Sequence, residues 1–237
     1  MKNVKEIVRG SSVTSLEFTN KTNVEEISLV GGKFTFSTGI ATGNTNTGDY
    51  TEIEKDGTLR FNGKATVWDD LVSSLIARRL NSTTGTLKYD YVENAITMEP
   101  GGDPTAATDR LVVNFQKPHA AKADSVFKLH MHWWQISSGK IEWQVDYRLQ
   151  DNNALKEENW TSVTSNSVDN SVYTYPGSGT FNQITELATI DWSKHAISTT
   201  VQIRITRTDS VSENIDATFV DGHVEYDTIG SREEYTK

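Results

Sequence analysis

At 237 residues the chain has room for one large β-domain, or for a compact domain with an extended arm, and not for a second enzyme-sized domain beside it. Its 23 Lys and Arg stand against 32 Asp and Glu, a formal charge of −9, and no basic run exceeds the pair Arg78-Arg79, so a nucleic-acid backbone, which demands a positive surface, is a poor partner. The absence of cysteine removes disulfide staples and Cys-ligated zinc together and fits assembly in a reducing cytoplasm, while a hydrophobic share of only 35% in short runs is the profile of a sheet protein with one wet face per strand.

The opening MKNVKEIVRGSS has a basic start but no apolar core of about seven residues, so it is not read as a secretory signal. No stretch approaches the roughly 18 apolar residues of a membrane span, and no membrane partner is expected. Residues 1–56 hold no Trp and one Tyr, and Gly, Thr, Asn and Ser crowd Ser37 to Tyr50. Such a segment buries too little apolar area to offset its own ordering entropy, which predicts an extended N-terminal arm that docks on a partner. Short pieces at Val13–Ser15, Leu16–Phe18, Ile27–Leu29 and Phe34–Phe36 are its candidate edge strands. The main domain is expected to run over 57–237.

From Thr58 the pattern turns to β. Leu59, Phe61 and Val67 mark a strand broken at Asn62-Gly63, a dipeptide that takes positive φ cheaply. Asp69-Asp70 then precede LVSSLIARRL, in which Leu71, Leu75 and Ile76 share a helical face and Arg78-Arg79 close the last turn. Acidic residues at the start and basic ones at the end complement a helix dipole, so one short helix is predicted here. Alternation gives the remaining strands: Thr86–Met98, Asp109–Lys117, Ser125–Gln135, Lys140–Gln150, Ser171–Tyr175, Phe181–Trp192, Thr199–Arg207 and Ile215–Asp227. In Lys140–Gln150, Ile141, Trp143, Val145, Tyr147 and Leu149 share the core face. The short polar link Ile136 to Lys140 predicts a hairpin between this strand and Ser125–Gln135, and Asp151 to Asn170 reads as a long polar connection. Eight strands with Gly/Ser/Asn links fit an all-β fold, an antiparallel β-sandwich of jelly-roll type.

The segment Gly57–Leu71, GTLRFNGKATVWDDL, followed by Leu129-His130-Met131-His132-Trp133-Trp134, resembles a pair of segments found in the same order in tailed-bacteriophage virion proteins. The resemblance covers roughly Gly57 to Gln150. It implies a non-enzymatic structural component of a virion, such as a head decoration, head-fibre or tail-associated protein, assembled in the host cytoplasm. The partners it implies are other virion proteins and further copies of the chain, with a homotrimer expected from the polar arm and the surplus of aromatics on strand faces.

His130 and His132 lie two apart on a predicted strand, so both imidazoles leave the same face, opposite Phe127, Leu129, Met131 and Trp133. Imidazoles about 7 Å apart can reach a common metal ion; the competing reading is two histidines that pack and hydrogen-bond. Cupin enzymes also carry His-x-His on a jelly-roll strand, but they follow it with a nearby Glu and a Gly. Here Trp133, Trp134, Gln135 and Ile136 come next and the first Glu is Glu142, so a cupin enzyme is not supported. Trp133 and Trp143 fall in apolar rows and read as core. Trp134, on the polar side of its strand, and Trp160, in the long connection, are the candidates for stacking on a sugar. Asp69 and Asp70 read as helix-capping residues. No nucleophile elbow, phosphate loop or dinucleotide fingerprint occurs, and no cofactor is expected beyond a metal ion at the His-x-His pair. The alternative to a virion structural role is a carbohydrate-binding β-sandwich that recognises a host surface glycan as a receptor-binding module.

Overall fold

The computed structural model describes residues 40–44, 48–54, 57–77, 87–90, 94–106, 109–135, 140–164, 168–169, 181–212 and 214–229, all within the larger of the chain's two compact units, 38–237. The strands in the first half are β1 (Ile40–Asn44), β2 (Asp49–Ile53), β3 (Leu59–Asn62), β4 (Val67–Ser74), β5 (Ile76–Ala77), β6 (Leu87–Asp90), β7 (Ala95–Met98) and β8 (Leu111–Gln116). Those in the second half are β9 (Val126–Gln135), β10 (Lys140–Ile141), β11 (Trp143–Gln150), β12 (Thr161–Thr164), β13 (Val168–Asp169), β14 (Phe181–Asp191), β15 (Thr200–Arg207) and β16 (Ile215–Tyr226). All pairings among them are antiparallel.

Two sheets face each other. One is five-stranded in the order β12-β11-β15-β8-β5; the other is six-stranded in the order β14-β9-β16-β7-β6, with β4 also paired to β16. Successive long strands β8, β9, β11, β14, β15 and β16 alternate between them, so the chain crosses the core at each step, the winding expected of an antiparallel jelly-roll sandwich. Period-2 alternation sets the inner faces. Val201, Ile203 and Ile205 of β15 and Leu111, Val113 and Phe115 of β8 meet Phe127, Leu129, Met131 and Trp133 of β9 and Val220 and Val224 of β16. Aromatic rings lock the two layers: Phe115 and Phe127 lie 5.0 Å apart, Phe127 and Trp192 4.9 Å, and Trp133 meets Trp143 edge to face at 6.1 Å.

Two buried cations lie at the ends of this core. Lys117 Nζ donates to the carbonyls of Trp192 and His195 at 3.0 and 2.8 Å. Arg207 forks onto Asp209 through Nε and Nη2, both at 2.9 Å, and donates to the Met98 and Val211 carbonyls. A buried charge persists only when it is paired and hydrogen-bonded in this way.

Several sequence expectations change. The predicted helix after Asp69-Asp70 is strand β4, whose eight residues pair with Phe219–Tyr226. Val67, Val72, Ser73 and Ser74 are poor helix formers, and partnership with a long central strand overrides the dipole-friendly charges. Arg78 and Arg79 lie outside the described residues. The predicted hairpin between Ser125–Gln135 and Lys140–Gln150 does not form: β9 pairs with β14 and β16, β11 with β12 and β15, and the link carries the chain from one sheet to the other. Thr86–Met98 is two paired strands, β6 and β7, with Asn94 at φ 52° immediately before β7. The connection from Asp151 contains β12 and β13.

The expected strand Ser171–Tyr175 and the expected edge strands before residue 40 lie outside the described residues. Residues 40–53 are not separate from the chain beyond residue 56, because β1 and β2 form a sheet with β3, so the boundary expected after residue 56 falls inside that sheet. At Gly63, φ is 57°, and a Cβ would collide with Asp49 Oδ1, which accepts the Lys64 N–H at 2.8 Å; the turn therefore requires glycine.

Candidate functional site

The outer face of the six-stranded sheet is built from rows of directly opposed residues. One row is Ile184, His132, Phe219 and Ser74; the next is Glu186, His130, Asp221 and Val72; the third pairs Lys128, His223 and Asp70. His130 and His132 do share a face opposite Phe127 to Trp133, as the alternation of β9 predicts. Their partners come from β16.

A bulge decides which β16 residues reach them. Ile215 and Ala217 face the core, but the register shifts between Ala217 and Phe219, so Val220 and Val224 take over the inner face and Asp221 and His223 turn outward. Thr218, the extra residue, donates its hydroxyl to the His132 carbonyl at 2.9 Å. A second register shift, between Glu186 and Ala188 of β14, puts Glu186 beside His130.

The resulting cluster is tight. His130 Nδ1 lies 3.7 Å from Asp221 Oδ1, and His132 Nε2 and His223 Nε2 lie 3.3 and 3.5 Å from Asp221 Oδ2. His223 Nε2 also reaches Asp70 Oδ1 at 3.1 Å, and His130 Nε2 approaches Glu186 at 3.9 Å. The His130 and His223 rings are 4.0 Å apart, and His132 stacks on Phe219 at 4.0 Å. Asp221 is 4% exposed and His130 9%, and within the cluster His130 Nδ1 and Asp221 Oδ1 are buried with no hydrogen-bond partner. Burial pushes His130 below the ordinary histidine range, and the neighbouring His223 adds to the shift. Asp70 thus contributes to this cluster from the middle of a strand, and the helix-capping role expected of Asp69-Asp70 has no helix to serve.

Sequence reasoning found His130 and His132 and missed Asp221 and His223. The signal was present: in IDATFVDGHVEY the apolar phase slips between Ala217 and Val220, which marks a bulge and re-aims Asp-x-His toward the histidine strand.

The outer face of the five-stranded sheet carries the second candidate. Trp160, half-buried, lies against two guanidinium groups, with Arg204 3.5 Å and Arg148 4.5 Å from its ring centre. Arg148 also donates to Gln202 Oε1 at 2.6 Å and to the Glu157 carbonyl at 2.7 Å, while Gln150 donates to the Leu155 carbonyl and accepts the Glu157 N–H. Residues 151–160 are thereby tied down over the sheet. Beneath them is an open groove of about 370 Å³ lined by Arg148, Gln150, Asp151, Asn152, Asn153, Ala154, Lys156 and Gln202.

Trp134 is half-buried on the other sheet, opposite Asn182 and Asp216. The two predicted stacking residues therefore belong to different sheets and do not share a platform. At one end of the groove Asp151 accepts from Thr199 Oγ1 and meets His195 Nδ1 at 2.9 Å. Burial alone would raise the Asp151 carboxyl, but these hydrogen bonds and the His195 charge outweigh it and hold the group below its ordinary value.

Neither a family model nor a curated protein matches the sequence. Among solved structures the chain is similar to the xylan-binding module CBM15, at a TM-score of 0.39 and 15% identity over 67% of this chain and 97% of that one. It is similar to TmCBM61, solved in complex with β-1,4-galactotriose, at a TM-score of 0.24 and 9% identity over 68% of this chain and 88% of that one. Similarity to dimeric latent PorU from Porphyromonas gingivalis has a TM-score of 0.29 and 8% identity over 68% of this chain, which spans 13% of that protein's length. No described helix is long and apolar enough to cross a membrane.

Proposed function

We propose that the protein is a non-catalytic glycan-binding β-sandwich whose binding face is the groove beside Trp160. The supporting observation is an ordered polar groove whose Arg148 also lies over the Trp160 ring. Two arginines hold the indole, and the Arg148 and Gln150 hydrogen bonds settle the loop before a ligand arrives, so little ordering cost remains for binding. Sugars ask for planar amide and guanidinium groups that hydrogen-bond adjacent hydroxyls, and the Trp160 ring holds the Arg148 guanidinium at the groove wall. The side-chain amides of Gln202, Asn152 and Asn153 line the groove and can both donate and accept.

The test is a glycan array followed by calorimetry on the best ligand. Saturable binding that Trp160→Ala abolishes and Trp134→Ala leaves intact supports the reading. Binding indifferent to Trp160, or none to any glycan presented, removes it.

One observation favours a second reading, the virion structural subunit that the Gly57–Leu71 and Leu129–Trp134 segments resemble. Strand β4 pairs on one side only among the described residues, and it and its continuation expose Trp68, Val72 and Ile76 at 51%, 67% and 61%. A strand that exposes large apolar side chains and pairs on one edge only among the described residues is a surface for assembly, and a homotrimer within the particle would cover it. Light scattering of the purified chain checks this: a monomer that also fails to co-sediment with capsid or tail proteins refutes the structural role.

A further inference from the structure

We propose that His130, Asp221 and His223 form a binding site for a divalent transition-metal ion, with zinc as the reference ion. The site lies on the sheet opposite the Trp160 groove and does not rest on the glycan reading. One nitrogen from each histidine and one oxygen of Asp221 all lie within 4.8 Å of one another, somewhat wider than the roughly 3.3–3.6 Å that tetrahedral bonds of about 2.0 to 2.2 Å would set, so small side-chain rotations would close the set around an ion. Two imidazoles and a carboxylate suit zinc and its transition-metal neighbours, and they leave positions for water or for a further side chain. His132 Nε2, 3.3 Å from Asp221 Oδ2, and Asp70 Oδ1, 3.1 Å from His223 Nε2, stand beside the set.

The cluster leaves two buried polar atoms without a hydrogen-bond partner. Asp221 is nearly inaccessible, yet its ion-pair partners among the described residues are imidazoles alone, and Lys128, the nearby amine on β9, lies over the Trp68 ring at 5.5 Å. Buried polar atoms are almost always hydrogen-bonded, so His130 Nδ1 and Asp221 Oδ1, both unpartnered and facing each other at 3.7 Å, are a specific exception. A metal ion bound between them would give both orphaned atoms a partner. It would also clamp β9 to β16, the two central strands of the sheet, at a register that the β16 bulge sets.

The experiment uses the full-length chain without an affinity tag, stripped with a chelator and titrated with Zn²⁺ by calorimetry and with Co²⁺ by visible absorption. One zinc per chain, a raised unfolding temperature in its presence, and Co²⁺ bands typical of a nitrogen and oxygen ligand field are expected. Since outer-shell changes alone cost 10–100-fold in affinity, His130→Ala, His223→Ala and Asp221→Asn should each weaken binding by more than about 100-fold, while His119→Ala and His195→Ala leave it unchanged. Absence of saturable uptake, or binding that survives in the His130→Ala/His223→Ala double variant, overturns the site. If the variants unfold, the Co²⁺ spectrum of the unmodified chain decides: protein-ligand bands support the site, and the spectrum of aqueous Co²⁺ overturns it.

Discussion

Truncating Trp143 to Ala tests the sandwich at its most loaded point. Trp143 has no exposed surface, projects from β11 in the five-stranded sheet, and meets Trp133, equally buried, edge to face across the core from β9. Removing an indole from a site closed on both sides leaves a large cavity, which costs about 3–5 kcal/mol. For a domain of this size each kcal/mol moves the midpoint by roughly 2–4 °C, so a fall of about 6–20 °C is expected. Glu142→Ala, one residue away on the outer side, should shift stability by no more than about 0.5 kcal/mol, because the bonds made there by its backbone to Asp209 and Thr208 survive the change. Thermal and urea unfolding followed by far-ultraviolet circular dichroism avoids relying on the deleted fluorophore. A double-mutant cycle with Trp133→Ala then isolates the ring contact, with a coupling of about 0.5–1.5 kcal/mol expected. Equal losses for Trp143→Ala and Glu142→Ala would show that the facing of β11 is wrong, and zero coupling would show that the two sheets do not meet through these rings.

Two further outcomes rest on single positions. Gly222→Ala should destabilise by about 1–3 kcal/mol in urea unfolding, because the new Cβ would overlap the Phe127 ring, itself fixed between Phe115 and Trp192; no loss would mean that the ring has room to move. The Asp151 carboxyl has a folded pKa below its unfolded value, so its contribution to stability is present above about pH 4 and is lost as pH falls through the folded pKa; Asp151→Asn should therefore flatten the acid limb of a stability-versus-pH curve, and curves of unchanged shape would refute the role given to Thr199 and His195.

Facing was legible in the sequence; pairing was not. The rows Ile141-Trp143-Val145 and Val201-Ile203-Ile205 show their buried sides by alternation alone, and the same rule turns His130 and His132 away from the core. Alternation is a property of one strand, whereas neighbours are a property of the whole chain. The link after Gln135 is short enough for a hairpin and equally able to step between sheets, and the choice was made by Trp133 and Trp143, which fill the core from opposite walls. Strand β4 shows the same limit from the other side. Leu71, Leu75 and Ile76 satisfy a helical period locally, but the eight backbone positions of Val67–Ser74 gain a continuous ladder along β16 that no isolated helix at this place supplies.

The candidate metal cluster was half legible for a related reason. His130 and His132 advertise themselves as a motif within one strand, while Asp221 and His223 belong with them only because Thr218 interrupts β16. Under strict alternation from Ile215, Asp221 and His223 would point into the core, where a carboxylate and an imidazole beside Phe127 and Leu129 would be costly. The bulge removes that cost and places both groups on the outer face within reach of His130. One extra residue thus protects the hydrophobic layer and assembles the polar cluster, so the two features should be gained or lost together in any change to the length of β16.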